Sequence, residues 1–265
     1  MPYPPLYSVI LPTHRRAKLL ARALASIKTQ TLQSSTEIIV VSDCADPETD
    51  AVCHEWLSAD DTYIRRSGSA GPSLSRNLAL QLSKGRFILF LDDDDAWHPE
   101  LLAGLSNCEL LHKGNAIYFD CSVIKEQRLP EGPVFVSEAF ANLEGRLTAD
   151  IYVKNQVPVC CFAFPRHLLQ GLAFDPHMRA YEDWDFVLSV CSQQMPVHVP
   201  IHGAVVHEVN DSTTDRRGNS SAAQDHNAVL DYLYVYRRHK VSAELQTKRA
   251  ELLASVGLAL PAHLL

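Results

Sequence analysis

Four aspartates in a row, Asp92 to Asp95, stand directly behind the apolar run Phe87-Ile88-Leu89-Phe90-Leu91 and ahead of Ala96-Trp97. Carboxylates crowded to this degree raise one another's pKa or repel, so such a turn persists where a divalent cation or solvent relieves it. A hard cation with a diphosphate is the natural partner. Mg²⁺ or Mn²⁺ takes one or two protein carboxylates while phosphate oxygens and waters fill its other positions, and carboxylates spaced i and i+2 at a strand end suit that role. The bland alternative for the same residues is an acidic turn capping a helix that begins near Pro99. A second acidic pair, Glu182-Asp183, opens an apolar helical pattern and by itself reads as ordinary negative charge in a first helical turn.

The elements that must position these groups alternate along the first hundred residues. Strands are expected at Tyr7 to Pro12, Glu37 to Ser42, Tyr63 to Arg66 and Arg86 to Leu91, with helices at Arg15 to Gln30, Pro47 to Leu57 and Pro72 to Ser83. That alternation predicts parallel strands joined by crossover helices, and the unbroken apolar run before Asp92 suits a central strand buried on both faces. The four aspartates then fall beyond the carboxyl end of a strand, where open α/β sheets bind ligands. Pro99 and Gly114 bracket a helix over Glu100 to Leu111. Downstream, strands are expected at Ala116 to Lys125, Val134 to Val136, Val159 to Phe164 and Val197 to Val206, with a short helix or turn over Asp150 to Gln156. A helix is expected from Glu182 to Gln193. Asn210 to Ser221, polar and nearly devoid of apolar side chains, reads as a mobile loop, and Ala222 to Val256 as helical.

Bulk properties narrow the function classes. The 265 residues are 46% apolar and 21% charged, as in an ordinary globular protein, and a net charge of -7 argues against a nucleic-acid binder, which needs a basic face. Seven scattered cysteines form no C-x-x-C pair, which argues against structural zinc and for reduced thiols in a cytosolic protein. Met1 to Leu6 lacks the features of a secretory signal, and the apolar stretch Leu252 to Leu265 is too short and too interrupted to span a bilayer. A cytoplasmic protein is expected, with any membrane contact peripheral at the inner face.

Taken together, these segments resemble an inverting family 2 glycosyltransferase of the GT-A fold, over about Tyr7 to Asp211. Ser8-Val9-Ile10-Leu11-Pro12-Thr13 is similar to the family's first strand and nucleotide-facing turn, and Ile38 to Asp43 to its second strand. The resemblance implies that Pro12, Thr13, Arg15 and Asp43 surround the nucleoside and that Arg76, within Gly71-Pro72-Ser73-Leu74-Ser75-Arg76-Asn77, meets the nucleotide. Where the family often has two acidic residues and Gly-Ser after the second strand, this chain has Asp43-Cys44-Ala45-Asp46, which leaves the base unassigned. The family's Asp-x-Asp motif falls on Asp92 and Asp94: it implies Asp94 as ligand of Mn²⁺ or Mg²⁺ and Asp92 facing the ribose or the cation, with Asp93 beside them on the donor side or simply solvated. Its Glu-Asp motif falls on Glu182-Asp183 and implies Asp183 as the base for the acceptor hydroxyl, with Asp185 the weaker alternative; its strand-end histidine falls on His207, as a third metal ligand or a structural residue.

The implied organisation is a GT-A domain over 1–221, made of a nucleotide-binding half (about 1–115) and an acceptor half (116–221) ending in a loop at 210–221. A helical extension over 222–265 follows. Implied partners are a nucleoside diphosphate sugar, UDP-linked foremost, and a glycan or lipid-linked acceptor, in polysaccharide or glycoconjugate assembly. The loop, with Arg216 and Arg217, either closes over the diphosphate or is a solvated linker. The C-terminal stripe of Val229, Leu230, Leu233 and Val235 is expected to dock on its own domain or to pair two chains as a homodimer. Three competitors are weighed against this reading. A phosphatase using Asp-x-Asp expects Thr or Val where Ala96 stands, and a sugar nucleotidyltransferase expects a Gly-rich loop absent from Pro12 to Leu20. A non-catalytic sugar-nucleotide or glycan-binding module of the same fold is disfavoured by the two intact acidic motifs.

Overall fold

The computed structural model describes residues 4–32, 35–129, 131–178, 180–209 and 226–265. The first half alternates as expected: β1 (Tyr7–Thr13), α1 (Ala17–Lys28), β2 (Thr36–Ser42), α2 (Pro47–Trp56), β3 (Thr62–Arg65), α3 (Pro72–Leu82) and β4 (Phe87–Phe90). These strands pair in parallel in the order β3-β2-β1-β4, so the polypeptide leaves β1, β2 and β4 on one edge of the sheet. Every side chain of β1 and of β4 is buried, which accounts for their continuous apolar runs. Glu37, buried at the opposite edge, is satisfied by Ser8 Oγ and the main-chain nitrogens of Lys84 and Gly85.

Beyond β4 the chain departs from regular alternation. The helix expected over 100–111 is two short helices, α4 (Leu101–Ser106) and α5 (Glu109–His112), because Cys108 is extended (φ -80°, ψ 98°). Leu101, Leu105 and Leu111 are all buried in the core. Strands β5 (Ala96–Trp97), β6 (Ile117–Leu129), β7 (Gly132–Ala141), β8 (Phe162–Pro165) and β9 (Val197–Val209) complete a mixed sheet, in the order β3-β2-β1-β4-β8-β6-β9-β5 with β7 paired to β6. The β6–β7 hairpin is much longer than the sequence pattern indicates, since most of β7 is exposed and carries no burial alternation.

Helix α6 (Glu182–Cys191) lies over a stack of rings in which Phe174 and Phe186 are parallel at 4.0 Å, with Phe90 edge-on to both. The C-terminal segment folds as α7 (His226–Arg238) and α8 (Ala243–Ser255), interrupted at residues 239–242. It docks on its own chain: Val235, Tyr236 and Leu253 join the core, and Tyr232 meets Tyr181 and Trp184. The loop expected at Asn210 to Ser221 lies outside the described residues. Among the described residues no helix is long and apolar enough to cross a membrane.

Candidate active site

The exits of β1, β2 and β4 and the start of α3 surround a cleft of about 340 Å³. Of the residues singled out from the sequence, Pro12, Thr13, Asp43, Arg76, Asp92, Asp93 and Asp94 line it, together with Glu182. Sheet topology explains the meeting: β1 is hydrogen-bonded between β2 and β4, so Asp43 and the aspartate turn flank the residues that follow Pro12.

Asp43 is 5% exposed and fully engaged. It accepts from the main-chain nitrogen of Gly71 at 2.7 Å, contacts Nδ1 of His14, and lies 3.8 Å from Arg66 Nη2. Gly71 takes φ 144°, a conformation that a side chain disfavours, and this turn brings its N–H to Asp43 at the start of α3. Arg66 braces the same turn by donating to the carbonyls of Ser69 and Gly71.

The four aspartates have four different environments. Asp93 is buried and takes hydrogen bonds from Thr13 Oγ1 at 2.7 Å and Arg16 Nη1 at 3.0 Å. Burial outweighs the Arg16 charge and pushes its carboxyl up to about 6. Asp94 accepts from Arg16 Nη1 at 3.2 Å and Arg128 Nη2 at 3.0 Å. Asp95 turns inward, accepts from the main-chain nitrogen of His207 at 2.9 Å, and is raised well above the ordinary carboxylate range by burial. Asp92 keeps 35% of its side chain exposed and accepts from Arg76 Nη2 at 2.5 Å.

Arg76 is the joint of the site. Its Nη1 donates to Glu182 Oε1 at 2.8 Å, so one buried guanidinium ties the aspartate turn to the first turn of α6. Its neighbour Asn77 faces the other way and clamps the main chain of Phe174 through two 2.8 Å hydrogen bonds. That clamp holds the Phe174 ring 5.2 Å from the Arg76 guanidinium. The turn entering α6 is strained, Tyr181 taking the left-handed conformation (φ 63°). Asp183 is half-buried beside Arg76, Glu182 and Asp92; burial first and Glu182 second push its carboxyl up to about 6. Asp185 points away from the cleft, fully buried against His239 Nε2 at 2.8 Å. Trp184 is core, its Nε1 donating to the carbonyl of Ile151.

Three expected residues stand outside the cleft lining: Asp183, next to lining Glu182, together with Arg15 and His207. Arg15 is exposed in the left-handed conformation (φ 51°) and does not line the cleft; the next residue, Arg16, does. His207 lies outside the cleft lining, beside Asp94, Glu126, Arg22 and Arg128, and its Nδ1 is buried without a partner. Burial and the Arg22 charge hold that imidazole down to about 4, so it is neutral at pH 7 and offers a lone pair. His14, Arg16 and the Arg22–Glu126–Arg128 network, in which Glu126 receives both arginines, were not read from the sequence. The paired basic residues after β1 were the available signal for Arg16; nothing local marks Arg128, which sits at the far end of β6.

Five carboxylates but only two guanidiniums line the cleft, so a diphosphate would meet net negative charge. The exposed oxygens of Asp92 and Asp94 fit a hard cation that reverses that field. Among the described residues, one trio brings metal-ligating atoms within 4.8 Å of one another, His14, Asp43 and Cys44. It sits at the Asp43 end of the cleft, and its carboxylate is already engaged by Gly71.

Comparison with known proteins is consistent across sequence and fold. The family model for Glycosyl transferase family 2 matches residues 8–162, more than half of the chain. An uncharacterized glycosyltransferase of Haemophilus influenzae is 27% identical over 97% of this chain and 84% of its own length. The putative colanic acid biosynthesis glycosyl transferase WcaA of Escherichia coli is 26% identical over 94% and 86% respectively. Among solved structures, Staphylococcus aureus TarS 1-349 in complex with UDP-GlcNAc superposes with a TM-score of 0.67 at 18% identity, covering 93% of this chain and 71% of that one. The mannosyltransferase PcManGT of Pyrobaculum calidifontis, in complex with GDP-Man and Mn²⁺, superposes with a TM-score of 0.60 at 17% identity, covering 98% and 78%.

Proposed function

The chain belongs to glycosyl transferase family 2, with the GT-A fold, and from that premise we propose that it moves a sugar from a nucleoside diphosphate carrier, UDP foremost, to a hydroxyl of a glycan or lipid-linked acceptor. Transfer is a single displacement with inversion at the anomeric carbon. The observation that carries this reading is the pair of hydrogen bonds from Arg76 to Asp92 and Glu182, through which the donor-side acids and the helix bearing Asp183 share one cleft.

In this reading the nucleoside lies against Pro12, Thr13 and Asp43, and Arg76 orients the aspartate turn towards the diphosphate. Asp94 and Asp92 would hold Mg²⁺ or Mn²⁺, whose charge would stabilise the departing diphosphate, while His207, outside the cleft lining, is left out of that ligand set. Asp183 takes the proton of the attacking hydroxyl. Its raised pKa makes it a stronger base than a solvated aspartate while leaving it ionised at neutral pH. Asp185 is excluded from that role by its burial against His239. The names of WcaA and of the putative teichuronic acid glycosyltransferase TuaG of Bacillus subtilis support a place in polysaccharide assembly.

Thermal melts with UDP, dTDP and GDP, each with and without Mn²⁺, test the donor half. One nucleoside diphosphate should raise the melting temperature in the presence of metal, by the equivalent of about 2.7 kcal/mol at a hundredfold excess over Kd. No shift with any of the three would sink the reading. Release of free nucleoside diphosphate from the matching sugar nucleotide tests the catalytic half.

A further inference from the structure

Helix α7 meets α6 at the turn that carries Glu182 and Asp183. Asp231 Oδ2 accepts from the main-chain nitrogen of Ala180 at 2.9 Å, and the Tyr232 ring lies 4.5 Å from that of Tyr181 and 5.3 Å from that of Trp184. Tyr236, one helical turn on, stands edge-on to Trp184 at 6.1 Å and anchors α7 by donating to the carbonyl of Val153 at 2.6 Å. The C-terminal helix therefore touches both sides of the acidic pair, Ala180 and Tyr181 before it and Trp184 after it.

That turn needs outside support. Tyr181 takes the left-handed conformation (φ 63°, ψ 16°) at the N-cap of α6, where its side chain supplies no capping hydrogen bond. A bulky residue is strained in this conformation, which persists only when the surrounding contacts over-determine it. Two of those contacts come from α7, the acceptor for Ala180 N–H and the ring against Tyr181. Trp184, pinned to the carbonyl of Ile151 at 2.7 Å, meets the Tyr181 ring edge-on at 6.1 Å.

Asp183 depends on this turn more than its neighbours do. Glu182 is held by Arg76 and Asp185 by His239, whereas among the described residues no side chain donates a hydrogen bond to Asp183. Its carboxylate is held by the main-chain nitrogen of Trp184, so the backbone around it sets where it points.

We propose that Asp231 and Tyr232 are positioning residues: by holding Tyr181 in the left-handed conformation they aim the Asp183 carboxylate at the acceptor hydroxyl. This rests on the reading of Asp183 as the base.

A double-mutant cycle on the full chain tests it. Turnover is read as UDP released from UDP-glucose or UDP-GlcNAc with Mn²⁺, whichever the wild type uses faster, and titration calorimetry with UDP counts the folded sites. Asp231→Ala should lower kcat about tenfold or more, with KM for the sugar nucleotide within about twofold and UDP stoichiometry unchanged, since only the acceptor side is misaligned. Asp231→Asn, which keeps an oxygen for the Ala180 N–H, should recover to within about threefold of the wild type. Tyr232→Leu and Tyr232→Phe should differ in the same sense, because phenylalanine keeps the ring against Tyr181. In an Asp183→Asn background, Asp231→Ala should cost less than about twofold more, because the carboxylate it aims is already gone. The same factor lost in both backgrounds, or a loss of turnover matched by a loss of UDP stoichiometry, would make α7 a structural support alone and overturn the inference. Wild-type turnover in Asp183→Asn would instead overturn the base reading, and this inference with it.

Discussion

Arg128 Nη2 lies 3.0 Å from Oδ2 of Asp94, so the carboxylate assigned to the cation already faces a guanidinium brought from the end of β6. Arg128 is almost completely buried and also holds Glu126 at 3.1 Å. It therefore fixes where Asp94 points and opposes any second positive charge there. Replacing it with methionine separates the two effects. Arg128→Met should lose about 3 kcal/mol of stability, the usual cost of breaking a buried ion pair. Its affinity for Mn²⁺, followed by calorimetry, should rise at least about fivefold as ~1 kcal/mol of repulsion is removed. An unchanged affinity would show that Arg128 does not bear on the cation.

Asp183→Asn should lower turnover by about 10²-fold or more while nucleoside diphosphate affinity stays near the wild-type value, because only proton acceptance is removed. In the wild type, kcat/KM should climb with pH through about 6 as the carboxyl ionises. Asp93 is pushed to the same value, so Asp93→Asn distinguishes the two: the acidic limb should persist in that variant if it belongs to Asp183. Full activity in Asp183→Asn would remove this residue from the reaction.

His207 gives a signed pH dependence of stability in EDTA. Its folded pKa, about 4, lies below the ordinary 6.5, so the unfolded chain binds the extra proton between those values. The wild type should thus be fully stabilised above about pH 6.5 and lose that contribution as pH falls towards 4. His207→Gln removes this dependence, and plotting the difference in melting temperature between the two proteins against pH cancels the opposite contribution of Asp93. A flat difference would contradict the buried, neutral imidazole.

Gly85→Ala tests the edge of the sheet that lies opposite the site. A Cβ there would stand 2.5 Å from the main-chain nitrogen of Ser8 and 2.6 Å from the carbonyl carbon of Tyr7, neither of which can move without shifting β1. It would also disturb the Ser8–Glu37 hydrogen bonds. A loss of about 3 kcal/mol or more is expected, readable in denaturant melts. A substitution tolerated within 0.5 kcal/mol would mean that the β1 contact relaxes freely.

The parts of the fold legible beforehand are those whose causes are local. The buried runs at β1, β2 and β4 and the opening of α2 and α3 at Pro47 and Pro72 each act within a few residues, and these elements stand close to where the pattern put them. The division of 100–111 at Cys108 and the length of β7 were not legible. The first rests on the extended backbone of Cys108, which the helical spacing of Leu101, Leu105 and Leu111 does not signal, the second on pairing along β6 rather than on β7's own exposed residues.

The same distinction runs through the site. The sequence by itself determined the chemical inventory, an acidic turn behind a buried strand and an acidic pair opening α6, because residue type and spacing along one chain suffice to specify those. Which of two adjacent like residues faces inward was decided only by tertiary structure. Arg16 rather than Arg15 enters the cleft because Arg15 takes the left-handed conformation, and Asp92, Asp93, Asp94 and Asp95 each acquire a separate partner from a different element. Arg128 reaches Asp94 from 34 positions further along the chain. Such charges are brought together by strand order and crossing distances, long-range quantities that no window of sequence contains.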